Sequence, residues 1–273
     1  MKESIYFLDK SNIHMFRLLF PEDLEKSFGD DRIGFGVMCD DTPAALLLAT
    51  FTEDAFWVDW LYVKEEYRLL GISYRLLNTF YKNISGITYE DMVFAASDDS
   101  VVQHVLTQTG FEFENEPLYF TFRSTLAKLA AVPEHKPDKA VMLLNKLEPE
   151  MLQKLNREIE DSGVIGVELP VDPAEYMRES LVYTDQDTIK AILLLKEHGD
   201  VIDVAYAWVA GGDEKALIRL ISAAKVLLQN THSEDTEITM TTLNEASKKL
   251  ATHLFPDAKC TPIYKGSMSL VGF

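Results

Sequence analysis

Three pairs of similar segments recur in the same order along the chain, and this internal repetition constrains the fold more than any other feature of the sequence. The pairs are Ile5–Lys10 with Val141–Lys146, Asp59–Val63 with Ala205–Val209, and Pro117–Tyr119 with Pro262–Tyr264. The paired segments lie 136, 146 and 145 residues apart. Because a recurring pattern marks copies of one structural unit, the sequence predicts two copies of a unit of about 130 residues.

A polar segment with two prolines separates the two copies. Residues 131–138 read Ala-Val-Pro-Glu-His-Lys-Pro-Asp and carry four ionisable side chains. Such a segment is typical of a linker and is a poor candidate for a core. The predicted domains are therefore residues 1–130 and 139–273, in line with the two domains that a prior of about 150 residues each gives for this length.

Strand and helix patterns alternate in the first copy. Apolar and β-branched residues predict a strand at Phe56–Val63, a polar loop follows at Lys64–Leu70, and helical spacing predicts a helix at Gly71–Tyr81. The full predicted order is strand, helix, three strands, helix, strand, helix and two strands. This order predicts an α/β fold, in an α+β arrangement whose mixed sheet carries helices on its faces.

The net charge of −18 excludes two classes of partner. A nucleic-acid binder needs a basic surface to displace counterions from phosphates, and an anionic membrane repels an acidic protein. We therefore expect neither nucleic acid nor a membrane among the partners. The sequence has no apolar run near the roughly 20 residues of a membrane span and no signal-peptide pattern at its start, so we expect a cytoplasmic protein.

The cysteines and histidines predict neither a disulfide framework nor a metal centre. Cys39 and Cys260 are the only cysteines in the sequence, and the six histidines lack the paired spacing of metal ligands. Cys39 is interpreted as a small buried side chain rather than as a nucleophile. We therefore expect no metal cofactor.

The motif that carries chemistry lies where the predicted strand Phe56–Val63 passes through its loop into the helix at Gly71. The first turn of a helix leaves backbone N–H groups unpaired, and the helix dipole makes this end electropositive. A pyrophosphate satisfies both needs, and glycine lets the backbone approach an anion without a Cβ in the way. Ser73 is small enough to preserve that approach and Arg68 adds a cation, so the sequence predicts an anion-binding loop.

This stretch resembles the acyl-CoA signature of the GNAT superfamily of N-acetyltransferases, which is Gln or Arg, two residues, Gly, one residue, then Gly or Ala. Arg68 and Gly71 fit the signature, and Leu61-Tyr62-Val63 fits the Leu-x-Val end of the preceding strand. Gly110-Phe111 matches a Gly-Phe pair that family members often carry after the last helix. Ser73 departs from the usual Gly or Ala. The resemblance covers the first of the two copies.

The resemblance implies two tandem GNAT-like domains, with acetyl-CoA as co-substrate and direct transfer of its acetyl group to an amine. Backbone amides from Leu69 to Ser73 would hold the pyrophosphate of coenzyme A, and backbone groups of Leu61 and Val63 would pair with its pantetheine arm. The implied coenzyme-binding residues are Leu61, Tyr62, Val63, Arg68, Leu69, Leu70, Gly71, Ile72, Ser73 and Asp99. Asp99 stands near a coenzyme-contacting Asn of the family and is equally placed to cap a helix.

The catalytic groups depart from the pattern that the resemblance implies. Many family members have a Tyr four residues before the Gly of the Gly-Phe pair, to serve the thiolate, but here this position is Leu106, with His104 two residues earlier. Asp59 is the acidic residue within the strand before the signature. It is a candidate catalytic base or, alternatively, a solvated or hydrogen-bonded strand residue. Tyr119 is a candidate for the acceptor pocket or for the core.

The second copy lacks the signature. Between the predicted strand Val201–Val209 and the predicted helix Glu214–Leu228 lies the short loop Ala210-Gly211-Gly212-Asp213. Asp213 would repel a phosphate there, and it also suits a helix cap without any ligand. We therefore expect a degenerate GNAT-like domain that binds no coenzyme and that completes the acceptor cleft or mimics a dimer partner.

Two functions stay open at this point. The first is an acetyl-CoA-dependent N-acetyltransferase that acts on an amine of a small molecule or peptide. The second, which the missing Tyr favours, is a non-catalytic acyl-CoA or small-ligand binding protein that keeps the fold. A purely structural pair of domains would require Gly71 to be incidental. A monomer and a homodimer are both compatible with two fused copies.

Overall fold

The computed structural model of the protein describes residues 2–20, 28–29, 31–52, 55–87, 92–129, 139–161, 167, 169–186, 188–212 and 214–271. The chain divides into two compact units. Unit 1 comprises Met1–Leu118 together with Pro262–Phe273, and unit 2 comprises Tyr119–Thr261. This division follows the internal repetition of the sequence except at the end of each copy.

The helices and strands are numbered in chain order. The strands are β1 (Glu3–Leu8), β2 (Arg32–Cys39), β3 (Thr42–Phe51), β4 (Ala55–Val63), β5 (Met92–Ser97), β6 (Glu112–Phe113), β7 (Tyr119–Thr125), β8 (Val141–Leu143), β9 (Leu181–Asp185), β10 (Thr188–His198), β11 (Val201–Val209), β12 (Glu237–Thr242) and β13 (Lys259–Ser269). The α-helices are α1 (Ile72–Ile84), α2 (Ser100–Gln108), α3 (Pro149–Asp161), α4 (Glu214–Thr231) and α5 (Glu245–Leu254). A 3-10 helix at Ile13–Leu19 follows β1.

Unit 1 is a mixed sheet with helices on its faces, as the sequence predicts. Its strands lie in the order β1-β2-β3-β4-β5-β13, and β4 and β5 are the parallel pair in an otherwise antiparallel arrangement. One face packs against α1 and α2 through buried side chains such as Leu76, Phe80 and Leu106. The opposite face packs against the 3-10 helix through Phe16. The predicted α/β class is confirmed.

Unit 2 repeats this architecture. Its strands lie in the order β7-β12-β11-β10-β9-β8, with β11 and β12 as the parallel pair. One face packs against α4 and α5, whose Leu220 and Leu254 are buried in the same core. The other face packs against α3 through Leu155 and Ile159. The two units therefore use the same order of strands and the same sides for their helices.

A β-bulge recurs at the same place in both units. In unit 1 the register between β3 and β4 shifts after Leu48, so Asp59 is the extra residue of β4. In unit 2 the register between β10 and β11 shifts after Leu194, so Ala205 is the extra residue of β11. Asp59 and Ala205 are also the first residues of one pair of repeated sequence segments. The duplication seen in the sequence is thus confirmed at the level of backbone register.

The terminal strand of each sequence copy completes the sheet of the other unit. β7 ends the first copy, yet it pairs with β12 of unit 2, from Phe120 opposite Thr242 onwards. β13 ends the second copy, yet it pairs with β5 of unit 1, from Tyr264 opposite Ser97 onwards. The predicted domains 1–130 and 139–273 therefore differ from the two units in the placement of β7 and β13. Sequence similarity shows which strands are equivalent, but not which sheet each strand joins. The predicted linker at 131–138 lies outside the described residues.

Candidate functional site

Strands β4 and β5 of unit 1 diverge halfway along β4 and open a cleft. They pair in parallel from Ala55 to Val58 on β4, and among the described residues this pairing goes no further. The next residue along β4 is the bulge residue Asp59. A bulge bends its strand and increases the local twist. The second half of β4 therefore presents toward the cleft an edge that β5 does not cover.

The backbone groups on this uncovered edge come from Leu61 and Val63. The Lys64 N–H donates to the carbonyl of Ala44 on β3 at 2.9 Å. Successive residues of a strand direct their backbone groups to opposite sides, so those of Leu61 and Val63 face away from β3 and toward the cleft. A hydrogen bond supports this direction, because Nε of Arg68 donates to the Val63 carbonyl at 3.0 Å.

The loop between β4 and α1 contains two residues with positive φ. Leu69 has a φ of 63° and Gly71 a φ of 71°, and Gly71 is the N-cap of α1. This conformation suits glycine, and a Cβ on Gly71 would lie 3.2 Å from Nη1 of Arg75. In the described structure no side chain caps the start of α1. The N–H groups of its first turn are therefore available to an anion.

Helix α2 forms another wall of the cleft. Oδ1 of Asp99 accepts hydrogen bonds from the N–H groups of Val101 at 2.7 Å and Val102 at 3.4 Å. The capping interpretation of Asp99 is therefore confirmed. Asp99 also lines the cleft, where its contact with a coenzyme stays a prediction, and His104 lines the same wall.

The cleft has a volume of about 520 Å³, which lies within the usual range of small-molecule sites. It is lined by these residues of the predicted set: Leu61, Tyr62, Val63, Arg68, Leu69, Gly71, Ile72, Ser73 and Asp99. Leu70 belongs to the predicted set but not to the lining. The structure adds Tyr67, Tyr74, Val101, Val102, His104 and Val105. The four added residues of α2 share one helical face, and this spacing is the sequence signal that indicates them.

Asp59 lies at the bulge and not in the lining of the cleft. Its Oδ2 accepts a hydrogen bond from Oγ1 of Thr50 at 2.6 Å and lies 3.4 Å from Nε of Arg32. Its side chain is 26% exposed. Burial raises the pKa of the Asp59 carboxyl above its ordinary value, although the Thr50 hydroxyl and the Arg32 guanidinium act in the opposite direction. A carboxylate with a raised pKa is a stronger base than an ordinary aspartate.

Two residues that the sequence relates to catalysis lie outside the cleft. Leu106, which stands at the position of the usual family Tyr, is 1% exposed and belongs to the core of unit 1. Tyr119 is the first residue of β7 and belongs to unit 2, so its place in an acceptor pocket stays a prediction. The aromatic side chains with a titratable proton on the cleft are Tyr62, Tyr67, Tyr74 and His104.

The corresponding connection in unit 2 is shorter. β11 pairs with β12 from Val201 to Asp203 and bulges at Ala205, so the backbone diverges as it does in unit 1. However, α4 begins five positions after the end of β11, whereas α1 begins nine positions after the end of β4. The cavity of about 30 Å³ in unit 2 lies elsewhere, because its lining residues Ile221, Leu228 and Leu254 come from the later turns of α4 and α5. Asp213, which the sequence places in this loop, lies outside the described residues.

Three chemical features are absent from the part of the chain that the structure describes. Its His, Cys, Asp and Glu side chains form no group that could hold a metal ion. Its two cysteines are free thiols, Cys39 buried and Cys260 exposed. Each of its helices is too short or too polar to span a membrane.

Several solved structures that match nearly the whole chain are described as GNAT proteins or acetyltransferases. A tandem GNAT protein from the clavulanic acid biosynthesis pathway superposes with a TM-score of 0.70 at 10% identity, over 98% of this chain and 99% of that chain. A GCN5-related N-acetyltransferase from Sphaerobacter thermophilus matches with a TM-score of 0.63 at 13% identity, over 98% and 96%. A putative acetyltransferase from Pyrococcus horikoshii matches with a TM-score of 0.59 at 15% identity, over 98% and 89%.

The comparisons of sequence add nothing to this structural likeness. No family model matches the chain, and no curated protein matches it. At identities this low, a structural likeness shows the fold and not the activity. The chain therefore has the tandem GNAT fold, and the resemblance identified from the sequence is confirmed to that extent.

Proposed function

Since the chain has the tandem GNAT fold, we propose that unit 1 binds acetyl-CoA in its cleft and transfers the acetyl group to an amine of a small molecule or peptide. One observation carries this proposal: the uncovered edge of β4 and the Gly71 loop line a single cleft. An edge of backbone amides suits a peptide-like arm, and a loop of N–H groups suits an anion. Coenzyme A carries a pantetheine arm and a pyrophosphate in one molecule.

The loop between β4 and α1 would hold the pyrophosphate. The N–H groups from Leu69 to Ser73 are the donors, because positive φ at Leu69 and Gly71 turns successive peptide groups into a concave anion-binding shape. Arg68 adds a cation beside them. The net charge of the protein is −18, so the attraction for a phosphate has to arise locally, from these groups.

The pantetheine arm would lie along β4 as an added strand. Its amides would pair with the backbone groups of Leu61 and Val63, which face the cleft. The Val63 carbonyl already accepts a hydrogen bond from Arg68. A carbonyl oxygen has two lone pairs, so the same group can also accept a hydrogen bond from the arm.

Acetyl transfer requires a neutral amine to attack the thioester carbonyl. The C–N bond forms, the C–S bond breaks, the nitrogen loses a proton and the thiolate gains one. Asp59 is the candidate base, because it lies where β5 leaves β4 and because Thr50 and Arg32 hold its carboxyl in place. The candidate donors to the thiolate are the titratable aromatic side chains of the cleft: Tyr62, Tyr67, Tyr74 and His104.

Binding of acyl-CoA without turnover is the second candidate function. It is favoured by Leu106, a buried apolar side chain at the position of the usual family acid. The two candidates share the coenzyme cleft and differ only in proton transfer. Release of free thiol from acetyl-CoA in the presence of an amine panel separates them. For the transferase we expect Asp59→Asn to keep coenzyme binding and to lose most of the turnover, whereas the binding protein releases no thiol in either form.

Calorimetric titration of acetyl-CoA into wild type and Gly71→Glu tests the proposed coenzyme site. The substitution puts a carboxylate into the loop at a φ that disfavours side chains, so we expect an affinity loss of at least about 100-fold. Gly199→Glu is the matched control, since Gly199 also has positive φ and a Cβ there meets nothing within 4 Å. Equal binding by wild type and Gly71→Glu would place the coenzyme elsewhere, and no binding by wild type would refute the proposed function.

A further inference from the structure

We propose that Arg75 is a positioning residue, which holds the coenzyme loop in its anion-binding conformation and is itself anchored by Glu3. This inference rests on the proposed function. Arg75 lies on the first turns of α1 and does not belong to the lining of the cleft. Its contacts nevertheless join the loop to β1, the strand that carries Glu3.

The guanidinium of Arg75 binds two partners at once. Its Nη1 donates to the carbonyl of Leu70 at 3.0 Å. Its Nε and Nη2 donate to Oε1 and Oε2 of Glu3 at 2.8 and 2.6 Å. Two parallel hydrogen bonds to a carboxylate fix the orientation of the guanidinium plane as well as its position. The hydrogen bond from Arg75 also lowers the pKa of Glu3, so the carboxylate stays ionised at neutral pH.

The contact with Leu70 sets the direction of the next backbone donor. In a trans peptide the C=O and the following N–H point in opposite directions. Because the Leu70 carbonyl is held toward Arg75, the Gly71 N–H points away from Arg75. The backbone N–H of Arg75 also donates to the Gly71 carbonyl at 3.3 Å, which fixes the N–H of Ile72 in the same way. A single residue therefore orients two consecutive N–H groups of the loop.

The part of the loop at Leu69 needs such an anchor because the Leu69 side chain does not hold it. Leu69 adopts a positive φ that is unfavourable for a leucine, yet its side chain is fully exposed and packs against nothing that would compensate. Glu3 supplies a fixed point, since it pairs opposite Cys39 at the edge of the sheet. The sheet thus holds Glu3, Glu3 holds Arg75, and Arg75 holds the loop.

The role is geometric rather than a direct attraction of phosphate, because Glu3 neutralises the charge of Arg75. The variants therefore separate the geometry of the Arg75 side chain from its charge. Arg75→Lys keeps the charge, but an ammonium is a point donor and cannot hold the fork and the Leu70 carbonyl together. Arg75→Gln removes the charge, and Glu3→Gln removes the anchor without altering the helix. Lys82→Gln removes a cation farther along the same helix and serves as the charge-matched control.

The test compares coenzyme A with S-acetylpantetheine, which lacks the pyrophosphate and the nucleotide. Calorimetry measures the first ligand and ligand-observed NMR the second, for wild type and all four variants. We expect Arg75→Gln, Arg75→Lys and Glu3→Gln each to weaken coenzyme A binding about tenfold, and to leave S-acetylpantetheine within about twofold of wild type. Lys82→Gln should bind both ligands as wild type does.

The outcomes separate this inference from the function on which it rests. If wild type binds no coenzyme A, the proposed function fails and the inference fails with it. If wild type binds and Arg75→Gln binds equally well, the positioning role is refuted while the proposed function stands. An equal loss for both ligands, or an equal loss in Lys82→Gln, would likewise refute it, as a structural or a general charge effect. If Arg75→Gln does not fold, Glu3→Gln decides by the same criteria.

Discussion

Replacement of Leu69 by glycine should stabilise the protein, although it removes a large apolar side chain. Leu69 has a φ of 63° and is fully exposed, so the substitution removes backbone strain and loses no burial. A left-handed conformation costs a residue with a Cβ about 1–2 kcal/mol. Against this, glycine gains about 0.4–1 kcal/mol of conformational entropy in the unfolded chain. The net expectation is a gain of about 0.5–1 kcal/mol, or about 1–4 °C in Tm.

The adjacent Leu70 provides the control for this prediction. Leu70 is 47% exposed and is not among the residues with positive φ. Leu70→Gly therefore loses packing and relieves no strain, and we expect it to lower the stability by about 1 kcal/mol. Differential scanning calorimetry of the two variants and wild type measures both effects. A Tm that falls as far in Leu69→Gly as in Leu70→Gly would show that the loop is not strained at Leu69.

Two further predictions concern unit 1. Gly36→Ala should destabilise the protein by about 1–3 kcal/mol, because a Cβ there would overlap the buried ring of Phe16. Chemical unfolding measures this loss. The double variant with Phe16→Leu should lose less stability than the sum of the two single losses. Asp59→Asn should change the pH dependence of unfolding. The raised pKa of Asp59 means that the folded state favours the protonated carboxyl. The wild type should therefore gain stability relative to the variant as pH falls from about 7 to about 4. A difference in unfolding free energy that stays constant over this range would refute the buried carboxyl.

Local sequence patterns predict much of the backbone. The strand predicted at Val201–Val209 has the same bounds in the structure, and the one predicted at Phe56–Val63 begins one residue earlier. The anion-binding loop is equally local, because a strand end, a glycine and a helix start follow one another in sequence. These features depend on neighbours a few residues apart, so periodicity and glycine chemistry suffice to indicate them.

Features that join distant residues are not predictable in this way. Glu3 and Arg75 lie 72 residues apart, and neither belongs to a motif that indicates the other. The exchange of β7 and β13 depends on which sheet each terminal strand completes, and the repeated segments Pro117–Tyr119 and Pro262–Tyr264 do not decide it. Leu69 is a local case of the same kind, because nothing in a leucine side chain indicates a positive φ. In the proposal above, this conformation of Leu69 is held by another residue, through the hydrogen bond from Arg75 to the Leu70 carbonyl.

The comparison of the two units separates what the fold provides from what the ligand site requires. The bulges at Asp59 and Ala205 open both sheets in the same way, so the divergence of the parallel strands belongs to the fold. Unit 2 then passes from β11 to α4 within five positions, whereas unit 1 takes nine positions from β4 to α1. In unit 1 this longer loop lines the cleft and carries strain at Leu69. The longer loop, with positive φ at Leu69 and Gly71, is therefore what the proposed ligand site adds to the shared fold.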